Sequence, residues 1–379
     1  MHILVLNHRD ITNPDSGSAE VLTHEMAKRW VRAGHAVTLF CSKFPLAVEK
    51  ETIDGVEIVR RGAASLKGWY AYDFYIRDLK SSPDIILDET DILPFFAKLY
   101  APRKTVLLAS ELIGRRAGDL YPFPVSTGWK MAESLYLSIY QGSPTFVLAD
   151  TVKQSFVERG FKESYITVLK RGVSAPDSLP IQIRESRLTL IYLGKVNKRK
   201  GAEDAIEVLR AVKQSKPDAQ LWLAGSGSDA YVDHLRGLIA GYKLADSVSF
   251  LGFVSDQLKF ELLAKAHILI VPSKFEAWGL TVPEAGIVGT PSVAYATSGL
   301  GAVIQHNQTG LLVDPKILSM AQAIVGITGD ISGYQTMQQQ AQIFARQFNW
   351  DTSAATALNI FEYIYSYNNK GMGHENPRL

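Results

Sequence analysis

The stretch Ala266–Ala285, AHILIVPSKFEAWGLTVPEA, is a short apolar run that breaks into a glycine turn flanked by two glutamates. Ala266–Val271 is apolar and β-branched without alternation, the pattern of a strand buried on both faces of a parallel sheet. Pro291–Tyr295 (PSVAY) reads as the next such strand. Glu276 thereby falls at the carboxyl end of a strand, where open α/β sheets place their ligands. Gly279 lets the backbone approach a ligand closely, and a helix expected from Thr281 would offer free N–H groups and a positive dipole end to a phosphate. Glu284 belongs to the first turn of that helix. A plainer reading stays open beside this one: Thr281 and Glu284 have the spacing of a capping box, and Pro283 is ordinary helix-start chemistry.

The same alternation runs through the whole chain. Before the stretch, strands are expected at Ile3–Leu6, Ala36–Cys41, Val56–Arg60, Ile85–Asp88, Thr105–Ala109 and Thr145–Ala149. Between the first two, Val21, Leu22, Met26, Ala27 and Trp30 are spaced for a helix over Ala19–Ala33, which Gly34 ends. Gly172–Leu179, with Pro176, reads as a linker, after which the pattern restarts with strands at Leu188–Leu193, Gln220–Ala224 and Ser247–Leu251. Strands alternating with helices imply right-handed βαβ units, hence an α/β fold of two Rossmann-like, doubly wound parallel-sheet domains over residues 1–172 and 173–350. Two such lobes would leave a central cleft, a usual place for a small-molecule site.

Composition narrows the partners. The 379 residues carry 40 basic and 38 acidic side chains, a net charge of +2 divided evenly along the chain, so nucleic acid is not an expected partner. A single cysteine, Cys41, rules out an internal disulfide framework and fits a reducing cytoplasm. The opening Met1–Leu6 is too short for a signal peptide, and no apolar run reaches the ~18 residues of a membrane span. The expected location is cytoplasmic, with peripheral contact at the inner membrane face allowed. Against this neutral background Lys195, Lys198, Arg199 and Lys200 cluster, which suits a small anion; a solvated basic loop is the competing reading.

Glu276 and Glu284, enclosing Trp278-Gly279-Leu280 and followed by Gly289-Thr290-Pro291, resemble the E-x7-E signature of family-four retaining glycosyltransferases of the GT-B fold. In that family the first glutamate contacts the donor sugar and the second holds the nucleotide ribose. The resemblance therefore implies Glu276 as a catalytic residue, with Trp278, Gly279, Leu280, Thr281 and Glu284 around the donor. It further implies Lys195 and Lys200, in Gly194-Lys-Val-Asn-Lys-Arg-Lys-Gly201, at the diphosphate-binding arginine and lysine of the family, as catalytic charges; Gly225 in its G-x-G turn; and Val254 at the nucleotide base. Asn7-His-Arg-Asp10 with Pro14-x-x-Gly17-Ser-Ala-Glu20 is similar to a subgroup's N-W-R-D and P-x-x-G-G-A-E, placing Gly17 and Ser18 at the donor. Ser18 stands where that subgroup has glycine, at a cost if the position needs a positive φ, and an ordinary capping loop is the alternative.

The resemblance also implies an acceptor on the first domain. Arg9 would hold an anionic group there. Glu111, where many relatives carry histidine near this strand end, would bind or activate a hydroxyl or else simply face solvent. Tyr121, Phe123 and Trp129 would face a carbohydrate or lipid, or pack on their own domain. The C-terminal helix and tail, residues 351–379, would return to the first domain. The activity implied is retaining transfer of a sugar from a nucleotide-sugar, UDP- or GDP-linked, to a glycan, lipid-linked or small-molecule acceptor. No cofactor is expected, and with no Asp-x-Asp in the sequence, no metal. The alternative is a catalytically weak nucleotide-sugar-binding protein that partners an active transferase.

Overall fold

Strand residues sort by parity onto two cores, as a sheet covered on both faces requires. In β1 (His2–Leu6), Ile3 and Val5 join one apolar cluster while Leu4 and Leu6 join another. The computed structural model describes residues 1–90, 93–110, 112, 114, 122–176, 178–276, 278–297 and 299–369. It divides the chain into two units, one of Met1–Gly172 with the chain from Asn349 onward, the other of Val173–Phe348.

The first unit is built on an eight-stranded sheet in the order β3-β4-β2-β1-β5-β6-β7-β8. Besides β1 these are β2 (Ala36–Cys41), β3 (Lys50–Ile53), β4 (Val56–Arg60), β5 (Ile85–Thr90), β6 (Thr105–Ala109), β7 (Thr145–Val147) and β8 (Ile166–Val168). All neighbours pair in parallel except β3 with β4, an antiparallel hairpin. Its turn is Asp54-Gly55, both at positive φ, an Asp-Gly hairpin signal that marks β3, a strand outside the expected set. The helix Trp350–Asn369 packs on the helix Ser18–Arg32: Phe361 meets Trp30 edge-on at 5.1 Å, and Trp30 Nε1 donates to the Ala354 carbonyl at 2.9 Å. Trp350 lies in the core of this unit, so Asn349 and Trp350 belong here and not to the second unit as expected.

The second unit holds a six-stranded parallel sheet, β11-β10-β9-β12-β13-β14. The strands are β9 (Thr189–Leu193), β10 (Gln220–Ala224), β11 (Val248–Gly252), β12 (Ile268–Val271), β13 (Ser292–Tyr295) and β14 (Gly310–Val313). Ile268 and Ile270 of β12 face one core, Leu269 and Val271 the other. Counted from β9 the order is the doubly wound 3-2-1-4-5-6, whose direction of winding reverses between β9 and β12.

Candidate active site

The strand order reverses between β9 and β12, the place where open α/β sheets bind ligands beyond their carboxyl ends, and the loops after these strands are the two that carry the charged motifs. They are joined by hydrogen bonds. The Lys274 amide donates to the Arg199 carbonyl at 3.2 Å, and Ser273 Oγ donates to the Lys200 carbonyl at 3.5 Å. Across this seam Lys200 Nζ lies 2.5 Å from Glu276 Oε2. Both side chains are partly shielded, so the pair is stronger than an open surface contact while staying within reach of a ligand. Lys195, on the same loop as Lys200, is exposed, its carbonyl accepting the Tyr192 hydroxyl at 2.6 Å.

The neighbouring turns close up on these loops through glycine. Gly225, at φ +140°, sits so near the β9 turn that a Cβ would lie 1.8 Å from the Gly194 carbonyl oxygen. Its amide donates to the Gly252 carbonyl at 2.7 Å, so the turns after β9, β10 and β11 are locked side by side. Val254 follows β11 and is buried, while its neighbour Phe253 is exposed. Gly279 has φ +83°, a backbone conformation that strains any L side chain, and a Cβ there, 2.4 Å from Leu300 Cδ2, would also have to displace that leucine.

Glu284 is 5% exposed, and its Oε1 accepts Lys259 Nζ at 2.7 Å. Lys259 also bonds Asp256 at 2.9 Å; burial works against its charge, but Glu284 and Asp256 outweigh that and raise its pKa. The capping box does not form: the helix Thr281–Ile287 has Leu280 as cap with no side-chain bond, and the Glu284 carboxylate is engaged by Lys259 instead. The expected phosphate cradle at this helix is also reduced. The helix has only seven residues, and the Val282 and Glu284 amides donate to the Gly279 and Leu280 carbonyls. Lys259 itself lay outside the expected set, because nothing in its local spacing links it to a residue 25 positions on.

Trp278 requires correction. Its side chain, expected beside a donor, is 4% exposed and packs edge-on against Phe348 at 5.4 Å in an apolar core, so the side chain anchors the turn. Leu280 and Thr281 are half-buried at the start of the helix.

In the first unit the loop after β1 follows the capping alternative. The Gly17 amide donates to Glu20 Oε2 at 2.7 Å, so it is already satisfied and is not part of an open phosphate cradle. Ser18 is the first residue of its helix and is not among the positive-φ residues, so the expected backbone cost does not arise. Arg9 is held by the loop itself, 3.4 Å from the Asp15 carbonyl and 3.8 Å from Glu20 Oε1. The residue beside it went unrecognised: Asp10, 1% exposed, takes Arg60 Nε at 2.6 Å and Nη2 at 3.1 Å, and binds the Thr12 amide and hydroxyl. Burial favours the protonated carboxyl, yet the bonds from Arg60 and Thr12 prevail and hold its pKa at about 2. Burial and the adjacent Asp10 push the Cys41 thiol up, leaving it inert. Glu111 and Tyr121 lie outside the described residues. Phe123 is exposed, and Trp129 lines a cavity of this unit.

Among known proteins, residues 177–342 match the family described as Glycosyl transferases group 1. Glycogen synthase of Mycobacterium tuberculosis is 28% identical over 221 residues, 56% of this chain and 51% of that protein, so the chain spans about half the length of that relative. An uncharacterized glycosyltransferase of Methanocaldococcus jannaschii is 26% identical over 368 residues, 89% of this chain and 92% of its own. Among solved structures, sucrose-phosphate synthase from Thermosynechococcus elongatus superposes with a TM-score of 0.77 at 19% identity, covering 96% of this chain and 99% of its own. Anabaena HepE in complex with UDP and glucose superposes with a TM-score of 0.72 at 20% identity, covering 96% and 99%. The two parallel-sheet units together have the GT-B fold, and the segment holding Lys200, Glu276 and Glu284 is the one that matches the group 1 glycosyl transferases.

Proposed function

We propose that the chain is a hexosyltransferase that moves a sugar, with retention and without a metal, from a nucleotide-sugar held by the second unit to an acceptor held by the first. The observation that carries this reading is the Lys200–Glu276 pair at the strand reversal, with Glu284 buried one turn further on. On this reading Lys200 and the exposed Lys195 take the diphosphate, and the charge of the departing group develops against them. Glu276, released from Lys200 by the incoming phosphates, turns to the sugar. Glu284, braced by Lys259, accepts from the ribose hydroxyls. A uridine diphosphate sugar is the first donor to try, because HepE, which shares the fold, was solved with UDP and glucose.

Calorimetry with UDP tests the assignment. Lys200→Ala is expected to weaken UDP by about 10- to 100-fold through loss of a charge-assisted bond, and Lys195→Ala to weaken it less. Unchanged affinity in both variants would return the loop to a solvated basic face. Saturating chelator is expected to leave transfer largely intact; loss restored by magnesium or manganese would contradict the lysine account. Among the described residues no helix is long and apolar enough to cross a membrane. We place the protein in the cytoplasm, with membrane contact limited to its surface.

A further inference from the structure

The second unit carries a cavity of about 380 Å³ whose described lining is Gly289 with Gln182, Gln335, Gln338, Gln339 and Gln342. Gly289 precedes β13, so the cavity lies toward the amino end of that strand, whereas Lys200 and Glu276 follow the carboxyl ends of β9 and β12. The helix Ile331–Ala345 buries Met337, Ala341 and Ala345. Beside that buried stripe Gln335, Gln338, Gln339 and Gln342 recur at i, i+3, i+4 and i+7, one face of the same helix. Glutamine is an ordinary helix former, so the row alone says little. What sets it apart is how its amides are held.

Three of the amides are anchored at one end. Gln342 Nε2 donates to the Ile287 carbonyl at 3.1 Å, and Gln182 Nε2 donates to the Val288 carbonyl. Gln338, with its amide oxygen toward Arg184, accepts from Nε at 3.2 Å and from Nη2 at 2.8 Å. Arg184 is fixed in turn: Nη1 donates to the Leu263 and Ala264 carbonyls at 3.1 and 3.0 Å and to Thr290 Oγ1 at 2.7 Å, and Nη2 to the Gly289 carbonyl at 2.6 Å. The other ends of these amides, the oxygens of Gln182 and Gln342 and the NH2 of Gln338, meet no hydrogen-bond partner among the described residues, and neither end of Gln335 or Gln339 does. An amide whose oxygen is already bonded to a guanidinium is polarised into a better donor. The lining therefore combines fixed acceptors, a fixed donor and two amides that supply both.

We propose that this cavity binds a carbohydrate, a neutral segment of about two sugar rings, through its hydroxyls. A hydroxyl donates and accepts at once, and neighbouring hydroxyls on a ring match the adjacent oxygen and NH2 of a primary amide. A peptide would look for apolar anchors, and the described lining has none. The site is separate from the Lys200–Glu276 pair, and its binding does not depend on the transferase reading above.

The test uses the full chain, with and without UDP, and follows maltose, cellobiose and lactose by saturation-transfer NMR and calorimetry. At least one is expected to bind with a Kd of about 1 mM. Its permethylated form, which keeps the rings but loses every hydroxyl donor, should not bind. Gln335 and Gln339 are exposed, and the double variant Gln335→Leu with Gln339→Leu should weaken the sugar about tenfold or more. Gln340→Leu, exposed on the same helix but outside the described lining, should change it less than twofold. Both variants should melt with the wild type. Failure of all three sugars to bind below about 10 mM, equal binding of the permethylated form, or equal loss in Gln340→Leu would overturn the proposal. So would displacement by inorganic phosphate, the mark of an anion site facing Arg184, or by UDP, the mark of sugar in the donor site. UDP affinity should be the same in wild type and double variant. A wild type that fails to bind UDP counts against the transferase reading, while the sugar titration still decides this site.

Discussion

Asp10→Ala is expected to destabilise the first unit by about 3–5 kcal/mol, or roughly 6–20 °C in its thermal transition. The mechanism is a buried charge that loses its main counter-ion. Arg60 is 1% exposed, and two of its bonds end on Asp10; the rest go to Thr12, the Val48 carbonyl and Glu51. Removing the carboxylate leaves a guanidinium in the core with, among the described residues, only the half-exposed Glu51 as a counter-ion. Asp10→Asn keeps the shape and the Thr12 contacts but not the charge, so it should fall between wild type and alanine. The pH dependence follows with a definite sign. The folded pKa, about 2, lies below the ordinary 3.8, so the contribution of the ionised group is complete above pH 3.8 and is lost as pH falls through 2. The stability gap between wild type and Asp10→Asn should therefore narrow over that window, measured by thermal or denaturant unfolding. A cost under about 1 kcal/mol, or a gap that widens in acid, would show that Arg60 finds its compensation elsewhere.

The loop that Asp10 supports is also where sequence and structure part company. Asn7-His-Arg-Asp10 draws attention to Arg9, the residue with a free-looking charge, whereas the burial is at Asp10 and its partner lies 50 residues away on β4. The same limit applies to Lys259 and Glu284, and to Lys200 and Glu276: spacing places each residue at a strand end or helix start but does not reveal which distant charge it meets. Strand and helix order was legible because buried parallel strands leave unbroken apolar runs at Ile3–Leu6 and Ile268–Val271. Trp278 misled for the opposite reason. An aromatic between two glutamates reads as part of a site, and only the packing of Phe348 against it shows a core residue. The cavity of the first unit could not be read at all, since its wall is assembled from segments following β1, β4 and β5 that share no local pattern.

Glu276→Gln is expected to reduce turnover by about 100-fold or more while leaving the affinity for UDP intact or slightly improved. The second half of that expectation comes from the ion pair. If Lys200 takes the diphosphate as proposed, the ligand draws it away from a carboxylate 2.5 Å distant, and glutamine relaxes that competition. The loss appears in the transition state, where a carboxylate near the anomeric carbon matters most as positive charge develops there. Glu284→Gln should behave differently. Ribose is common to UDP and to the intact donor, so both should weaken together by about tenfold, the worth of a bond to a charged acceptor. That variant also takes the charge from the partner of Lys259, so its melting temperature must be followed, with Lys259→Met as the control for brace loss alone. Calorimetry with UDP on the single variants, and on Lys200→Ala combined with Glu276→Gln, separates the roles. If the pair competes with phosphate as argued, the double variant should bind UDP no worse than Lys200→Ala alone. Equal weakening of UDP in Glu276→Gln and Glu284→Gln would dissolve the division of sugar from ribose.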